Sequence, residues 1–420
     1  MTNHKLHIGF VSTRFAGNDG VSLETAKWAK IFTGLGHTCF YFAGESDLPS
    51  DRSHVVPEAH FDHPLVKKVH TDLFDDYRRS PQTSEIVREL WSTLKRGLVE
   101  FLKDFGIKLL VVENAMAIPM NVPLGLALTE LISETNIPTI AHHHDFYWER
   151  TRYAVNAAED YIQAAFPPAM STIHHVVINS FAAKQLAFRT GMSSKYIPNV
   201  MDFDNPPPDS DEYAEDLREV LELERDDVFL LQPTRIVPRK RIERAIELAH
   251  WLEMPCALII SHGAGDEGYD YHAYLKDYAQ MMSVRVIFGE DIFTYERQRN
   301  SEGKKIYSLK DAYQQSDLVT YPSSIEGFGN AFLEAIYYRR PLMMSSYDIF
   351  KADISPKGFQ VIVFDEFITK RTVEHTISLL KNPSQIQKIV ENNYELGKKY
   401  YSYTVLRKHL SELIEQCFQA

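Results

Sequence analysis

Short apolar runs alternate with longer amphipathic stretches along the 420 residues of the chain. Two stretches in the first half, SLETAKWAKIFTGLGH (22–37) and SEIVRELWSTLKRGLVEFLKDFG (84–106), have the apolar spacing of helices, and Ser22 is the predicted N-cap of the first. The apolar runs around them resemble strands buried on both faces: KLHIGFVST (5–13), HTCFYFAGES (37–46), IKLLVVENA (107–115), IPTIAHHHD (137–145) and IHHVVINS (173–180). This alternation predicts an α/β fold with a parallel sheet covered by helices.

The same rhythm restarts after a polar, acidic segment that contains Pro206, Pro207 and Pro208 and is typical of an interdomain linker. The strands predicted beyond it are VFLLQPTR (228–235), CALIISHG (256–263), VRVIFGE (284–290), DLVTYPSS (317–324), PLMMSS (341–346) and QVIVFDE (360–366). A final helix places one apolar face at Leu406, Leu410, Leu413, Ile414 and Cys417.

Two doubly wound domains that face each other across a cleft are therefore predicted. The expected N-terminal domain is residues 1–205, completed by a C-terminal helix at 402–420, and the expected C-terminal domain is residues 206–401. Ligands of such sheets bind beyond the carboxyl ends of the strands, so polar residues at those ends are the candidates for function.

Composition and charge narrow the class of protein. A formal net charge of -12 disfavours a nucleic-acid partner, which usually needs a basic face. The three cysteines are far apart in sequence and favour a reducing compartment. The N-terminus lacks the features of a secretory signal, and no apolar run reaches the length of a membrane span, so we expect a cytoplasmic protein. Peripheral membrane contact stays open as an alternative.

The segment YPSSIEGFGNAFLEAIYYRRP (321–341) carries the first candidate site. A strand runs into a helix there, and Gly327 and Gly329 let a ligand approach the main chain. The helix begins near Gly329 or Asn330 in this interpretation, and its N-terminus would suit a phosphate. Glu326 and Glu334 would each accept two hydrogen bonds from sugar hydroxyls. The alternative is that Glu326 caps the helix and Glu334 is ordinary surface charge.

Cations and histidines follow two other predicted strands. In QPTRIVPRKRIERAIELA (232–249), Arg235 and Lys240 are placed to neutralise a departing diphosphate, whereas a solvated turn is the alternative for this charge run. In AHHHDFYWER (141–150), His142 and His144 share one face of the strand and His143 points away. A purely structural role for all three histidines is one alternative to a catalytic role for His144. Zinc binding by His144 and Asp145 is another, although the spacing is not that of a known zinc site.

The loop TRFAGNDGVSLET (13–25) is the fourth candidate. Gly20 lies between the first strand and the first helix and would allow close approach of a phosphate or sugar, unless it serves only as a turn. The loop lacks the G-x-G-x-x-G pattern, so a dinucleotide cofactor is poorly supported.

Together these motifs resemble the retaining glycosyltransferases of family 4, which have the GT-B fold of two facing Rossmann-like domains. SSIEGFGNAFLEA resembles the family's E-x7-E motif, TRIVPRKRIERAIELA its arginine–lysine motif, and IAHHHD its strand ending in a cleft histidine. The resemblance covers essentially the whole chain. It implies a hexosyltransferase that moves glucose or mannose from a nucleotide diphosphate sugar to a small polar acceptor such as a sugar, sugar phosphate or hydroxy acid.

The resemblance also implies a role for each matching residue. The catalytic set would be His144, Arg235, Lys240 and Glu326. The donor-binding set would be Gly20, Gly327, Phe328, Gly329, Asn330 and Glu334. Glu326 would hold the donor sugar and Glu334 the ribose, while Arg235 and Lys240 would bind the diphosphate. No metal and no cofactor are expected, because cationic side chains and a helix end would perform the work of a metal.

The chain departs from the family pattern where Arg339 replaces a glycine before the next strand. Four alternatives stay open at this stage. The acceptor could be a lipid-linked or growing glycan. The reaction could instead be that of a GT-B phosphorylase or of a nucleotide-sugar epimerase. The protein could also bind nucleotide sugars without turnover.

Overall fold

The computed structural model describes residues 5–17, 20–74, 76–264 and 269–418. The chain divides into two compact units. The N-terminal domain comprises residues 1–199 and 404–420, and the C-terminal domain comprises residues 200–403. The chain therefore enters the C-terminal domain a few residues before position 205, the end of the domain expected from sequence.

The N-terminal domain is built on a parallel sheet of seven strands within its described residues, in the order β3-β2-β1-β4-β5-β6-β7. These strands are β1 His7–Val11, β2 Thr38–Ala43, β3 Ser53–Val55, β4 Leu109–Glu113, β5 Thr139–His143, β6 Ile173–Val177 and β7 Lys195–Tyr196. The helices that accompany them are α1 Gly20–Gly34, α2 Pro64–Leu73, α3 Pro81–Phe105, α4 Val122–Thr135, α5 Glu159–Ala165 and α6 Ser180–Thr190. Strands β4 and β5 are buried at every position, as the continuous apolar runs predict.

Local signals set the ends of the long helix α3. The Ser80 side chain accepts a hydrogen bond from the Thr83 amide, and Pro81 occupies the first turn. Gly106 ends the helix with φ of 61°, a left-handed conformation that glycine adopts without steric cost. By contrast, α1 begins at Gly20, two residues before the predicted start, so the prediction of Ser22 as its N-cap is wrong.

The C-terminal domain has a parallel sheet of six strands within the part of the chain that the structure describes, in the order β10-β9-β8-β14-β15-β16. A small sheet, β11-β13-β12, accompanies it and was not predicted from the sequence. The strands are β8 Val228–Gln232, β9 Cys256–Ile260, β10 Val286–Phe288, β11 Phe293–Thr294, β12 Gln298–Arg299, β13 Lys305–Ser308, β14 Leu318–Tyr321, β15 Leu342–Ser345 and β16 Ile362–Phe364. The helices are α7 Leu217–Val220, α8 Glu243–Trp251, α9 Asp270–Met281, α10 Leu309–Gln315, α11 Asn330–Tyr337, α12 Lys370–Leu380 and α13 Pro383–Tyr401.

The last helix, α14 (Tyr403–Cys417), belongs almost entirely to the N-terminal domain. Its buried residues are Leu406, Leu410, Leu413 and Cys417, four of the five residues on the apolar face predicted from the sequence, and Ile414 is half-buried. The Lys195 ammonium donates to Glu412 Oε2 at 2.9 Å, and Arg407 donates to the Gly34 carbonyl at 3.3 Å. The two domains are Rossmann-like, as predicted. No helix in the described part of the chain is long and apolar enough to cross a membrane.

Candidate active site

Glu326 and Lys240 meet in the C-terminal domain beyond the carboxyl ends of β14 and β8. Lys240 ends a 3-10 turn at Pro238–Lys240, and its ammonium donates to Glu326 Oε1. The Lys240 and Glu326 side chains are only 10% and 11% exposed, so this is a largely buried ion pair. Arg239 reaches the other carboxylate oxygen at 3.6 Å. Glu326 does not cap α11, because Gly329 occupies that position.

The electrostatics around Lys240 reflect several nearby cations. Burial lowers the pKa of Lys240, the Glu326 carboxylate opposes this shift, and Arg239 and Arg235 lower the pKa further. The Lys240 ammonium also lies 5.4 Å from the centroid of the Tyr321 ring, a cation–π distance. Arg235 itself is exposed. The cluster therefore offers a concentration of positive charge at one strand edge, which suits a bound diphosphate.

His262 belongs to the same edge, although sequence reasoning did not single it out. It follows β9, and its Nδ1 lies 2.8 Å from Ser261 Oγ. Burial lowers the pKa of His262, and Arg235 and Lys240 lower it further, so all three residues are electrostatic neighbours. The rule that directed attention to Arg235, a polar residue directly after an apolar strand, would also have found the histidine of CALIISHG.

The glycine loop has the geometry that its sequence requires. Gly329 has φ of 118°, and a Cβ there would lie 2.4 Å from Tyr347 Oη. Tyr347 donates to the Phe328 carbonyl at 2.8 Å, which fixes the loop backbone. Phe328 is buried, so its main chain rather than its ring would meet a ligand, whereas Gly327 is exposed. α11 begins at Asn330, as predicted.

Glu334 lies on α11, eight residues beyond Glu326. Tyr313 donates its hydroxyl to Glu334 Oε2 at 2.8 Å. The Tyr313 ring stacks on Tyr338 with centroids 5.0 Å apart, and burial followed by the charge of Glu334 raises the pKa of Tyr313 well above its usual value. The Glu334 carboxylate is thus oriented by a buried tyrosine, which favours a defined role over that of mobile surface charge.

The N-terminal domain contains a second cluster, where two imidazoles share one buried carboxylate. Glu113 ends β4, and its partner in the parallel pairing with β5 is His142. Glu113 Oε2 lies 2.9 Å from His142 Nδ1 and 3.3 Å from His144 Nε2. The His142 ring stacks on Trp28 of α1 with centroids 4.2 Å apart. His142 and His144 therefore share a face, as strand alternation predicts.

The charges within this cluster support each other. Burial raises the pKa of Glu113, but His142 and His144 outweigh it and lower the pKa to about 2. Burial lowers the pKa of His144, yet the hydrogen bond and charge of Glu113 produce a net increase. Glutamate and histidine are also metal-ligand types, and the ligand atoms of these three residues lie within 4.8 Å of one another. The ring nitrogens of both histidines lie within hydrogen-bond distance of the same carboxylate oxygen, Glu113 Oε2.

Asn114 fixes the backbone beside His144. Its φ of 59° is left-handed, a conformation that asparagine tolerates better than most residues. Its Oδ1 accepts from the His144 amide at 3.0 Å, and its Nδ2 donates to Asp145 Oδ1 at 3.0 Å. Asp145 also pairs with Arg150. Sequence reasoning missed Glu113 and Asn114, although the charge that ends the run LLVVE was a usable signal.

His143 points to the opposite face of the sheet. Its Nε2 lies 2.9 Å from His175 Nδ1, and both residues are buried. Burial lowers the pKa of His143 well below its usual value and that of His175 to about 4. This pair is therefore a neutral part of the core and separate from the Glu113 cluster. Gly20 is exposed and is the first residue of α1 rather than part of a turn before it.

Two Rossmann-like domains with parallel sheets give the chain a GT-B fold. A solved glycosyltransferase from Rickettsia africae shares the fold, with a TM-score of 0.68, 14% identity and coverage of 99% of each chain. No protein-family model matches the chain.

Sequence comparison gives a closer relationship. The mannosylglucosylglycerate synthase of Thermotoga maritima is 32% identical over 441 residues, which cover 97% of this chain and 99% of the relative. The enzyme of the same name from Petrotoga mobilis is 28% identical, with coverage of 96% and 100%. The chain belongs to the mannosylglucosylglycerate synthase family. It is a hexosyltransferase that uses a nucleotide sugar and a small polar acceptor, as predicted.

Proposed function

We propose that this protein is a retaining, metal-independent glycosyltransferase of family 4 that transfers mannose from a nucleotide diphosphate mannose to glucosylglycerate. The observation that carries this proposal is the match to a mannosylglucosylglycerate synthase over 97% of this chain and 99% of the relative. A single hexosyl transfer to glucosylglycerate is the simplest step that forms the product in that name. The three free cysteines favour a reducing compartment, such as the cytoplasm.

The donor would bind to the C-terminal domain. Lys240 and Arg235 would contact the diphosphate, together with main-chain amides from Gly327 to Asn330 at the start of α11. Glu326 would accept hydrogen bonds from hydroxyls of the donor sugar, and Glu334, oriented by Tyr313, would accept those of the ribose. The ion pair between Glu326 and Lys240 supports this assignment, because it preorganises one sugar-binding and one phosphate-binding group side by side.

The chemical step follows from these charges. The positive groups would stabilise the negative charge that develops as the nucleoside diphosphate leaves. The acceptor hydroxyl would attack from the same face of the sugar, and the departing phosphate oxygen would take its proton. Binding and orientation supply the rest of the rate enhancement, so no covalent nucleophile is invoked. His144, with Gly20 on the same domain, would contribute substrate contacts, and cations would replace a divalent metal.

The decisive experiment is a screen of nucleotide sugars by thermal shift, followed by turnover with the stabilising donor. A ligand that binds only the folded state raises its melting temperature. Nucleoside diphosphate mannose should give the largest shift, and release of nucleoside diphosphate should require glucosylglycerate. Free glucose and free glycerate are matched partial acceptors, and both should support much slower release.

The products and controls separate the proposal from its alternatives. The new linkage should keep the anomeric configuration of the donor by NMR, and activity should survive a chelator. Equal release of nucleoside diphosphate with and without acceptor would reject the transferase, and so would formation of an epimerised donor. Preference for a glycan or lipid-linked acceptor over glucosylglycerate would reject the proposed acceptor. Loss of activity on chelation that added metal restores would reject metal independence.

A further inference from the structure

The shared carboxylate in the N-terminal domain restricts what His144 can do in the reaction. Glu113 is 1% exposed and lies at the end of a strand whose every residue is buried. His144 is the most exposed of the three clustered side chains, at 11%, and is therefore the one that a substrate could reach. Its Nε2 is directed to Glu113, which leaves Nδ1 as the ring nitrogen that a substrate would meet.

Charged groups surround His144 from each element that packs on it. Glu113 approaches from β4, and Glu24, buried on α1, contributes a second negative charge. Asp145 follows His144 directly and is partly neutralised by Arg150. Lys27 offsets the charge of Glu24, with its ammonium 2.9 Å from Glu24 Oε2. On β5 itself, His142 shares Glu113 with His144.

The protonation state decides the function of Nδ1. A neutral His144 that donates Nε2–H to Glu113 would present Nδ1 as an acceptor and could act as a general base. A protonated His144 would present Nδ1–H and could only donate. The direct contact with an ionised carboxylate, supported by Glu24 and Asp145, favours the protonated ring, because opposite charge at such distances stabilises the charged form.

We propose that Glu113 is the positioning residue of His144, and that it holds the imidazole as a cationic hydrogen-bond donor rather than as a general base. Asn114 completes the arrangement by fixing the His144 amide. This inference rests on the proposed transferase function for its catalytic meaning. The interaction itself can be measured without any substrate, so the two proposals can fail separately.

The first test is the titration of His144 by NMR in protein labelled at histidine Cε1, with His144→Asn to assign the signal. In the wild-type protein the midpoint should lie above the ordinary value of about 6.5. Glu113→Gln keeps a hydrogen-bond acceptor but removes the charge, and should lower the midpoint by about one unit or more. Glu24→Gln is the matched control, because it removes a nearby charge without breaking the direct contact, and should cause a smaller shift.

The second test is the pH dependence of turnover. Since the protonated ring is the active form, kcat should fall as the pH rises through the His144 midpoint, and Glu113→Gln should move this basic limb to lower pH. At pH 8 the variant should lose about tenfold in kcat, with a KM for the donor changed by less than about threefold, and the deficit should shrink as the pH falls. A purely structural defect would lower activity equally at every pH.

Several results would overturn the proposal. A wild-type His144 midpoint below the ordinary value would do so without any variant, even if Glu113→Gln does not fold. An unchanged midpoint in a folded Glu113→Gln protein, or a stoichiometric metal whose removal alters the titration, would also overturn it. A Glu113-dependent titration in a protein that transfers no sugar would instead support the positioning role and reject the transferase.

Discussion

Removing one partner of the Lys240–Glu326 ion pair should affect stability and activity differently. Lys240→Met keeps most of the side-chain volume but removes the direct ion pair of Glu326, whose remaining neighbours include the Tyr321 hydroxyl and the Arg239 guanidinium at 3.6 Å. Loss of one partner of a buried pair costs about 3–5 kcal/mol, because the other charge is left uncompensated. For a domain of roughly 200 residues this corresponds to a fall of roughly 6–20 °C in melting temperature.

The double variant Lys240→Met/Glu326→Gln separates the two effects. It removes both charges, so its melting temperature should recover to within a few degrees of the wild type, since no buried charge is unpaired. Its turnover should stay low, because the diphosphate has lost one of its two proposed cationic contacts; loss of one such group costs at least about 100-fold in kcat.

The measurements are thermal unfolding by circular dichroism and nucleoside diphosphate release at saturating donor and acceptor. Glu326→Gln alone is the matched single variant that closes the cycle. If the double variant regains turnover together with stability, then Lys240 serves only to neutralise Glu326, and its assignment to the diphosphate is refuted. If Lys240→Met unfolds at the wild-type temperature, the pair is not buried as described.

Three further predictions concern stability. Gly329→Ala should destabilise the protein by about 2–4 kcal/mol and weaken donor binding at least tenfold, because a side chain at φ of 118° is strained and would displace Tyr347. Burial lowers the pKa of His175 to about 4 in the folded protein, against about 6.5 in the unfolded chain, so protonation favours unfolding. The free energy of unfolding, measured by urea titration, should therefore fall by about 3 kcal/mol as the pH falls from 6.5 to about 4. Arg339→Gly should change stability by less than about 1 kcal/mol, since relief of φ of 53° offsets loss of the stacking on Tyr394, whereas Arg339→Val should cost about 2 kcal/mol.

Each of these predictions has a result that would contradict it. Wild-type stability and donor affinity in Gly329→Ala would show that the loop backbone tolerates a side chain. For His175→Asn, the free energy of unfolding should change less between pH 6.5 and 5 than it does in the wild type. An equal change in the variant and the wild type would assign this pH dependence to other groups. For Arg339, equal melting temperatures of the glycine and valine variants would show that backbone strain is not the limiting factor.

The sequence was sufficient to predict features that depend on local pattern. Within the described residues, continuous apolar runs identified all six strands of the C-terminal parallel sheet and five of the seven in the N-terminal sheet, but not the short strands β3 and β7. The glycine loop placed the start of α11 near Gly329 or Asn330, and the helix begins at Asn330. The sequence also placed Lys240 and Glu326 after the ends of two predicted parallel strands. Because such ends lie at one edge of a sheet, the proximity of these two residues could be predicted. The strands and the start of α11 depend on residues that are neighbours in sequence, and the proximity of Lys240 to Glu326 depends on the regular geometry of a parallel sheet.

Two kinds of feature were missed or predicted incorrectly: contacts that depend on the order of strands in a sheet, and the residue at which a helix begins. Glu113 and His144 are 31 residues apart, and they meet because β4 pairs directly with β5, which no periodicity in the sequence specifies. Ser22 looked like an N-cap, but α1 extends to Gly20. The structure also explains the departure from the family pattern at Arg339. Its φ of 53° is a conformation that glycine favours, so the arginine backbone is strained. This strain is offset by two contacts of the guanidinium, which lies 3.6 Å from the centroid of the Tyr394 ring and forms an ion pair with Glu391.

The return of α14 to the N-terminal domain has a consequence for biosynthesis. A ribosome makes residues 200–403, and with them the entire C-terminal domain, before it reaches the helix that carries Leu406 and Glu412. The N-terminal domain, although most of it is synthesised first, therefore lacks its last helix until residues 404–417 have been made, and its site for α14 stays uncovered until then. Premature termination near residue 403 would therefore damage the half of the enzyme that was synthesised first, and quality-control proteases would encounter that half as the incomplete one.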